Sequence, residues 1–304
     1  ILKAITELVQ ISRAADLPAH VSHIKASGRQ NWQRSSEILT ALDKARSEGL
    51  PITQDQYTYT ASSTGISSII PQKYRAGSRD EFKKRLADPK SKREMIDSIT
   101  RSLKSRGEPD YSYAVIASWK KDRSLNGLRL PAAAKKRYGD GSLEKQIELV
   151  FEIHASGGAS GVYHKMIEHD LQRFMTDENT MFASDSSIRV FNSGVPHPRG
   201  YGNAARVLSR YVRDLQIISL EEAIRRMTSL PARVFGLKDR GIIKPGNWAD
   251  LVIFDPAEVR DAATFKSPHH YAKGFRYVIV NGKPVIRDDN HLGTRPGQTI
   301  KRGR

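Results

Sequence analysis

The apolar positions of this 304-residue chain change their spacing several times along its length. Over residues 1–15 they recur at helical intervals, with Leu2, Ile5, Leu8, Val9 and Ile11 on one side, which predicts an amphipathic helix. Leu17-Pro18 ends that pattern, since proline lacks an N–H and fixes φ. "AHVSH" then reads as a buried strand. Residues 35–48 predict a second helix, with Ile38, Leu39, Leu42 and Ala45 on one face and Gly49 as its stop. "PITQDQYTYT" is the next strand. Helix, strand, helix, strand signals a parallel α/β sheet. The same rhythm returns with a helix over 143–156, a strand at "GASGVYH", a helix over 167–175 and a strand at "TMFASD". A further helix spans 219–230, with Ser219 as N-cap and Glu222 completing a capping box.

Two stretches depart from this rhythm. Residues 66–150 are helical, basic and loop-rich, and predict an insertion lying over the strand ends. From Gly236 the chain turns to short alternating strands, "GIIKPGNWADLVIFDP" and "FRYVIVNGKPVIRDD", with Asn281-Gly282 as a hairpin signal. The expected division is therefore an α/β unit over 1–235 and a small β module over 236–304.

Composition narrows the classes. The longest apolar runs are as short as Leu251–Phe254, so no membrane span is expected. The absence of cysteine excludes disulfides and cysteine-ligated zinc within these residues. A net charge of +17 raises the question of nucleic acid, yet no zinc finger, RNP-type strand or glycine-rich phosphate loop accompanies it. The basic run over 73–106 has acids interspersed, as on a solvated helix face. No nucleic-acid partner is expected. Ile1 opens inside a helical pattern, so polypeptide is expected upstream, and no targeting segment is visible; a cytoplasmic location is the default.

In parallel α/β architectures reactive groups gather at the carboxyl ends of strands. His20 and His23 end the first strand, Asp55, Tyr57 and Tyr59 the second, His164 the third and Asp185 the fourth. Just beyond, "GVPHPRGYG" supplies His197 and Arg199. A lone strand-end histidine is commonly structural, and a lone aspartate commonly caps the next helix. An imidazole and a carboxylate together can bind zinc or share protons, and a lysine with an arginine can hold an anionic group. A metal-assisted hydrolase of an acidic small molecule is one reading of that set. His20 is expected to be structural, as are His164 and His197, the latter fixing the loop that carries Arg199. Asp55 is expected to orient the end of its strand, and His269 and His270 to lie on the surface away from the site.

"LPAHVSHIKASG", "TQDQYTYTASSTG", "MFASDSS", "HPRGYGNAARVLSRYV" and "GIIKPGNWADLVIFDP" together resemble the N-acyl-D-amino-acid deacylases (D-aminoacylases) of the amidohydrolase superfamily. The resemblance covers nearly the whole chain and is weakest over 75–150. It implies the last strands of a (β/α)8 TIM-type barrel, a helical insertion and a small C-terminal β-sandwich. It implies zinc, one or two ions, with His23 and Asp185 as ligands and Asp185 as general acid/base. It implies that Lys25, Arg199 and Tyr57 grip the substrate's α-carboxylate, Lys25 standing on the same side of an extended strand as His23. The reaction implied is hydrolysis of an N-acyl-D-amino acid to a carboxylate and a free D-amino acid.

The family's H-x-H, bridging cysteine and fifth-strand histidine have no counterpart in these residues, and are expected before Ile1. The missing N-terminal half of the barrel is thus the expected partner. Thr58 stands where the family usually has proline, and Ser186 where it usually has glycine. Three alternatives remain open at this point: a fragment that is inactive or complemented in trans, a basic noncatalytic anion-binding protein, and a cyclic amide hydrolase of the dihydroorotase or hydantoinase type.

Overall fold

A computed structural model of the chain describes residues 1–300. Three short strands, β1 (Ala19–Val21), β2 (Ile52–Gln56) and β6 (Thr180–Phe182), form a parallel sheet in the order β1-β2-β6. Ala19 pairs with Ile52 and Gln54 with Thr180, so all three strands deliver their carboxyl ends to one rim. Helices α1 (Leu2–Ala15) and α2 (Ser35–Ser47) form where the apolar spacing predicts. Their inward residues Ile5, Ile38, Leu39, Leu42 and Ala45 pack with Ile24, Ile52 and Phe174 in one buried cluster. Ile38 and Leu42 are fully buried, each contributing about 1.5–3 kcal/mol. Buried Asp170 accepts from the Ser35 hydroxyl at 2.6 Å and from the Gln33 N–H at 2.8 Å. The same carboxylate accepts the Ser35 N–H at 3.3 Å, an otherwise orphaned donor at the start of α2.

Between β2 and β6 lies a second unit. Strands β3 (Ser62–Gly65), β4 (Ala114–Ser118) and β5 (Ser160–Tyr163) form an antiparallel sheet, order β3-β5-β4. Helices α3 (Gln72–Arg75), α4 (Arg79–Ala87), α5 (Pro89–Lys104), α6 (Leu130–Tyr138) and α7 (Leu143–Ala155) surround it. Its core includes Phe82, Met95, Ile99, Trp119, Ile147 and Phe151. This corrects two expectations. "GASGVYH" is not a strand of the parallel sheet, so His164 ends an antiparallel strand. The insertion is also not purely helical, and its sheet begins at Ser62. A four-residue strand carries no mark of its partner's direction.

Helix α8 (Glu168–Met175) leads into β6, and α9 (Arg199–Arg206) continues as a π-helical stretch, Val207–Asp214. Helices α10 (Leu220–Met227) and α11 (Ser229–Phe235) follow. The Ser219 hydroxyl caps α10, but Glu222 turns to Arg225 and Arg226 instead of completing the box. Strands β7 (Leu251–Phe254), β8 (Phe275–Val280), β9 (Lys283–Arg287) and β10 (Asn290–His291) form one antiparallel sheet in the order β10-β9-β8-β7. Among the described residues it is a single layer, not the expected sandwich. Among them, too, no helix is long and apolar enough to cross a membrane.

Candidate functional site

The rim of the parallel sheet gathers the charged residues. β1 ends at Val21, and the chain turns at once: His23 has φ 45°. After β6, Asp185 has φ 47°. Both residues therefore occupy the left-handed region, uncommon for a side-chain-bearing residue and found where a turn must aim a side chain. The turn at His23 replaces the extended strand expected there. The special conformation after β6 belongs to Asp185, not to Ser186, which is why serine is tolerated at 186. The tight approach falls at Gly200, where an added side chain would meet the Ser186 hydroxyl at 2.6 Å.

Asp55, on β2, holds the turn. One oxygen accepts the His23 backbone N–H at 2.8 Å, and the other lies 2.7 Å from Nε2 of His20. Nδ1 of His20 lies 2.8 Å from the Thr53 hydroxyl. His20 and Asp55 are thus support for the turn, as the sequence suggests.

Lys25 folds back from this turn. Its ammonium stands 2.8 Å from Nδ1 of His23 and also donates to the His23 carbonyl. Burial pulls its pKa down to about 8, with Asp185 and Asp55 opposing and the Arg199 charge adding to the fall. Arg199, at the start of α9, is 3% exposed; its Nη1 lies 2.9 Å from Oδ2 of Asp185, and its Nε has no hydrogen-bond partner. Tyr57 sits between the two cations, its ring 4.4 Å from the Arg199 guanidinium and 5.6 Å from the Lys25 ammonium. Burial keeps the phenol protonated. The structure therefore brings His23, Lys25, Tyr57, Asp185 and Arg199 to one rim.

Two residues less visible in the sequence stand beside Arg199 and against the loop after β6. Arg189, near Arg199, also has a buried Nε without a partner. His269, expected on a distant surface, instead reaches the loop after β6: it meets the Gly194 carbonyl at 2.9 Å and the Tyr201 hydroxyl at 2.8 Å. Its distance along the chain hid this contact. His164 packs on Phe265 at 4.7 Å and takes no place in the set.

A zinc ion tests the site differently. Among the described residues no group of three or more histidine, aspartate or glutamate side chains stands close enough to hold a metal. Nδ1 of His23 is taken by Lys25, and Asp185 by Arg199. These residues alone do not make a zinc site.

A family model described as "Amidohydrolase family" matches residues 150–286. N-acyl-D-glutamate deacylase of Alcaligenes xylosoxydans xylosoxydans is 33% identical over 301 residues, 98% of this chain and 51% of its own length. The chain is similar to the N-acyl-D-amino-acid deacylases over nearly its whole length. D-aminoacylase of the same organism is 32% identical over 303 residues, covering 99% of this chain and 52% of that deacylase. A crystal structure of D-aminoacylase superposes with a TM-score of 0.74 at 32% identity, over 96% of this chain and 52% of its own. N-acyl-D-glutamate deacylase from Bordetella bronchiseptica, solved with zinc and a phosphonate mimic of the tetrahedral intermediate, gives 0.75 at 31%, over 99% and 53%. The chain spans about half the length of the deacylases it matches. Dihydroorotases match only short stretches, such as 92 residues at 33% identity for that of Lactobacillus acidophilus. A D-hydantoinase shares the fold, with a TM-score of 0.51 at 16% identity.

Proposed function

We propose that these residues are part of an enzyme that hydrolyses the amide bond of N-acyl-D-amino acids. On this reading the β1-β2-β6 sheet is an arc of a (β/α)8 barrel, and further polypeptide completes it. His23 and Asp185 contribute two ligands to a zinc site whose other ligands lie outside these residues. The left-handed turns at both positions support that pairing, because each follows the carboxyl end of a strand of the same parallel sheet.

The substrate's α-carboxylate is held by Lys25, Arg199 and Tyr57. A buried guanidinium with an unpartnered Nε, an ammonium two residues from His23 and a protonated phenol between them suit an anionic group. Binding there fixes the scissile amide relative to Asp185, which is the source of the rate gained by orientation. Asp185 accepts the proton of the attacking water and passes it to the departing amine. Arg199 pairs with Asp185, and a substrate carboxylate would compete for that guanidinium and leave the aspartate free to act as base.

The observation that carries this reading is the convergence of Lys25, Tyr57, Arg199 and Asp185 on one rim. Its test is hydrolysis of N-acetyl-D- and N-acetyl-L-amino acids by the whole protein, with and without a chelator. Release of the D-amino acid, lost on chelation, is expected. Equal rates on both enantiomers, or a rate indifferent to the chelator, contradict it.

A further inference from the structure

We infer that His197 is a positioning residue for the carboxylate clamp, a neutral imidazole that sets Arg199 and Tyr57 together. This role rests on the proposed reading of Lys25, Tyr57 and Arg199 as that clamp.

The ring is 1% exposed and its two nitrogens have partners of opposite kind. Nε2 lies 2.9 Å from the Ala61 carbonyl, which can only accept. Nδ1 lies 3.1 Å from the Arg199 backbone N–H, which can only donate. The proton therefore sits on Nε2 and the lone pair on Nδ1. A charged ring would place N–H against N–H and break the second bond.

The Arg199 N–H belongs to the first turn of α9, where helical geometry offers no acceptor. His197 supplies one. It also ties that turn to the connection after β2, because Ala61 follows Tyr57 by four residues. The ring meets Tyr57 edge-on at 5.9 Å, Tyr59 at 5.3 Å and Phe265 at 5.1 Å. One side chain thus fixes the backbone from which Arg199 reaches Asp185 and one side of the Tyr57 ring on which that guanidinium stacks.

The test uses the whole protein and two probes, N-acetyl-D-methionine and N-acetyl-D-methioninamide, which differ by the carboxylate charge. The affinity readout is the KM for each probe in wild type, His197→Phe and His197→Asn. Phe keeps the ring volume and loses both bonds; the Asn carbonyl can still accept from the Arg199 N–H. Wild type is expected to prefer the carboxylate. His197→Phe should lose about tenfold of that preference, the size of one charge-assisted contact, with the affinity for the amide unchanged. His197→Asn should recover part of it. An equal loss for both probes, or an unchanged preference in His197→Phe, overturns the positioning role. A wild type without preference overturns the clamp itself. Ring nitrogen resonances give an independent arm: the Nε2–H tautomer should persist from pH 8 to pH 5, and a protonation midpoint near 6.5 contradicts the role.

Discussion

The Lys25 ammonium lies 2.8 Å from Nδ1 of His23. An ammonium can only donate, so the imidazole accepts at Nδ1 and carries its proton on Nε2. A metal on this ring needs a lone pair. Binding at Nδ1 displaces Lys25, and binding at Nε2 requires the other tautomer, which breaks the same bond. A metal held by His23 would break this contact and leave the ammonium anchored by the His23 carbonyl.

Lys25→Met follows from this. The loss of one charge-assisted contact to the carboxylate, worth about 1.5–3 kcal/mol, predicts a KM raised about 10–100-fold. The effect on kcat should be much smaller, because the contact is made equally in ground and transition states. Steady-state kinetics on an N-acetyl-D-amino acid check this split. A variant with unchanged KM removes Lys25 from the clamp.

Asp185→Asn keeps the shape of the side chain and removes its basicity. Turnover should fall by about 10²–10⁴, the range for loss of a general acid/base. Substrate affinity should be preserved or improved, since Arg199 loses its competing carboxylate. Near-normal turnover excludes the proton-transfer role.

His197 makes stability depend on pH. Burial, then the neighbouring Arg199, His164 and Arg189 charges, hold its pKa down at about 3, against the pull of the Ala61 bond. In the unfolded chain it titrates near 6.5. The folded value lies below the unfolded one, so between pH 6.5 and 3 the unfolded state binds more protons. Stability therefore falls as pH falls through that window. At pH 4.5 the loss relative to pH 7 is about 2–3 kcal/mol. Urea midpoints at the two pH values should show it in wild type, and a smaller pH effect in His197→Phe. Equal slopes for the two proteins contradict the assignment.

Asp261 locks the segment after β7 to α9. Its carboxylate accepts from the Tyr59 hydroxyl at 2.7 Å and pairs with Arg206 at 3.5 Å. Gly202 leaves the room for it, and a Cβ there would overlap the Asp261 carboxylate and crowd the Tyr59 hydroxyl. Gly202→Ala should cost about 3 kcal/mol, as overpacking against a buried ion pair. Thermal unfolding checks it, and an unchanged Tm shows that the segment shifts freely.

Much of the framework was legible in the sequence because periodicity reports burial. Ile38, Leu39, Leu42 and Ala45 recur at helical spacing and are all buried. The set at the rim was legible through motif resemblance, since residues as distant as Lys25, Tyr57 and Arg199 share no local pattern. What stayed hidden depends on pairing between segments. The antiparallel partners of Ser160–Tyr163 leave no trace in four residues. The return of Lys25 onto His23 follows from a left-handed turn at a residue that rarely adopts one. His269 reaches Gly194 across 75 positions of chain.

Zinc binding by the whole protein tests the central claim most directly. Competition against a calibrated chelator measures the affinity for wild type, His23→Ala and Asp185→Ala. If the two side chains meet one ion, each variant should bind zinc at least about tenfold more weakly. Wild-type zinc affinity in both variants contradicts the account.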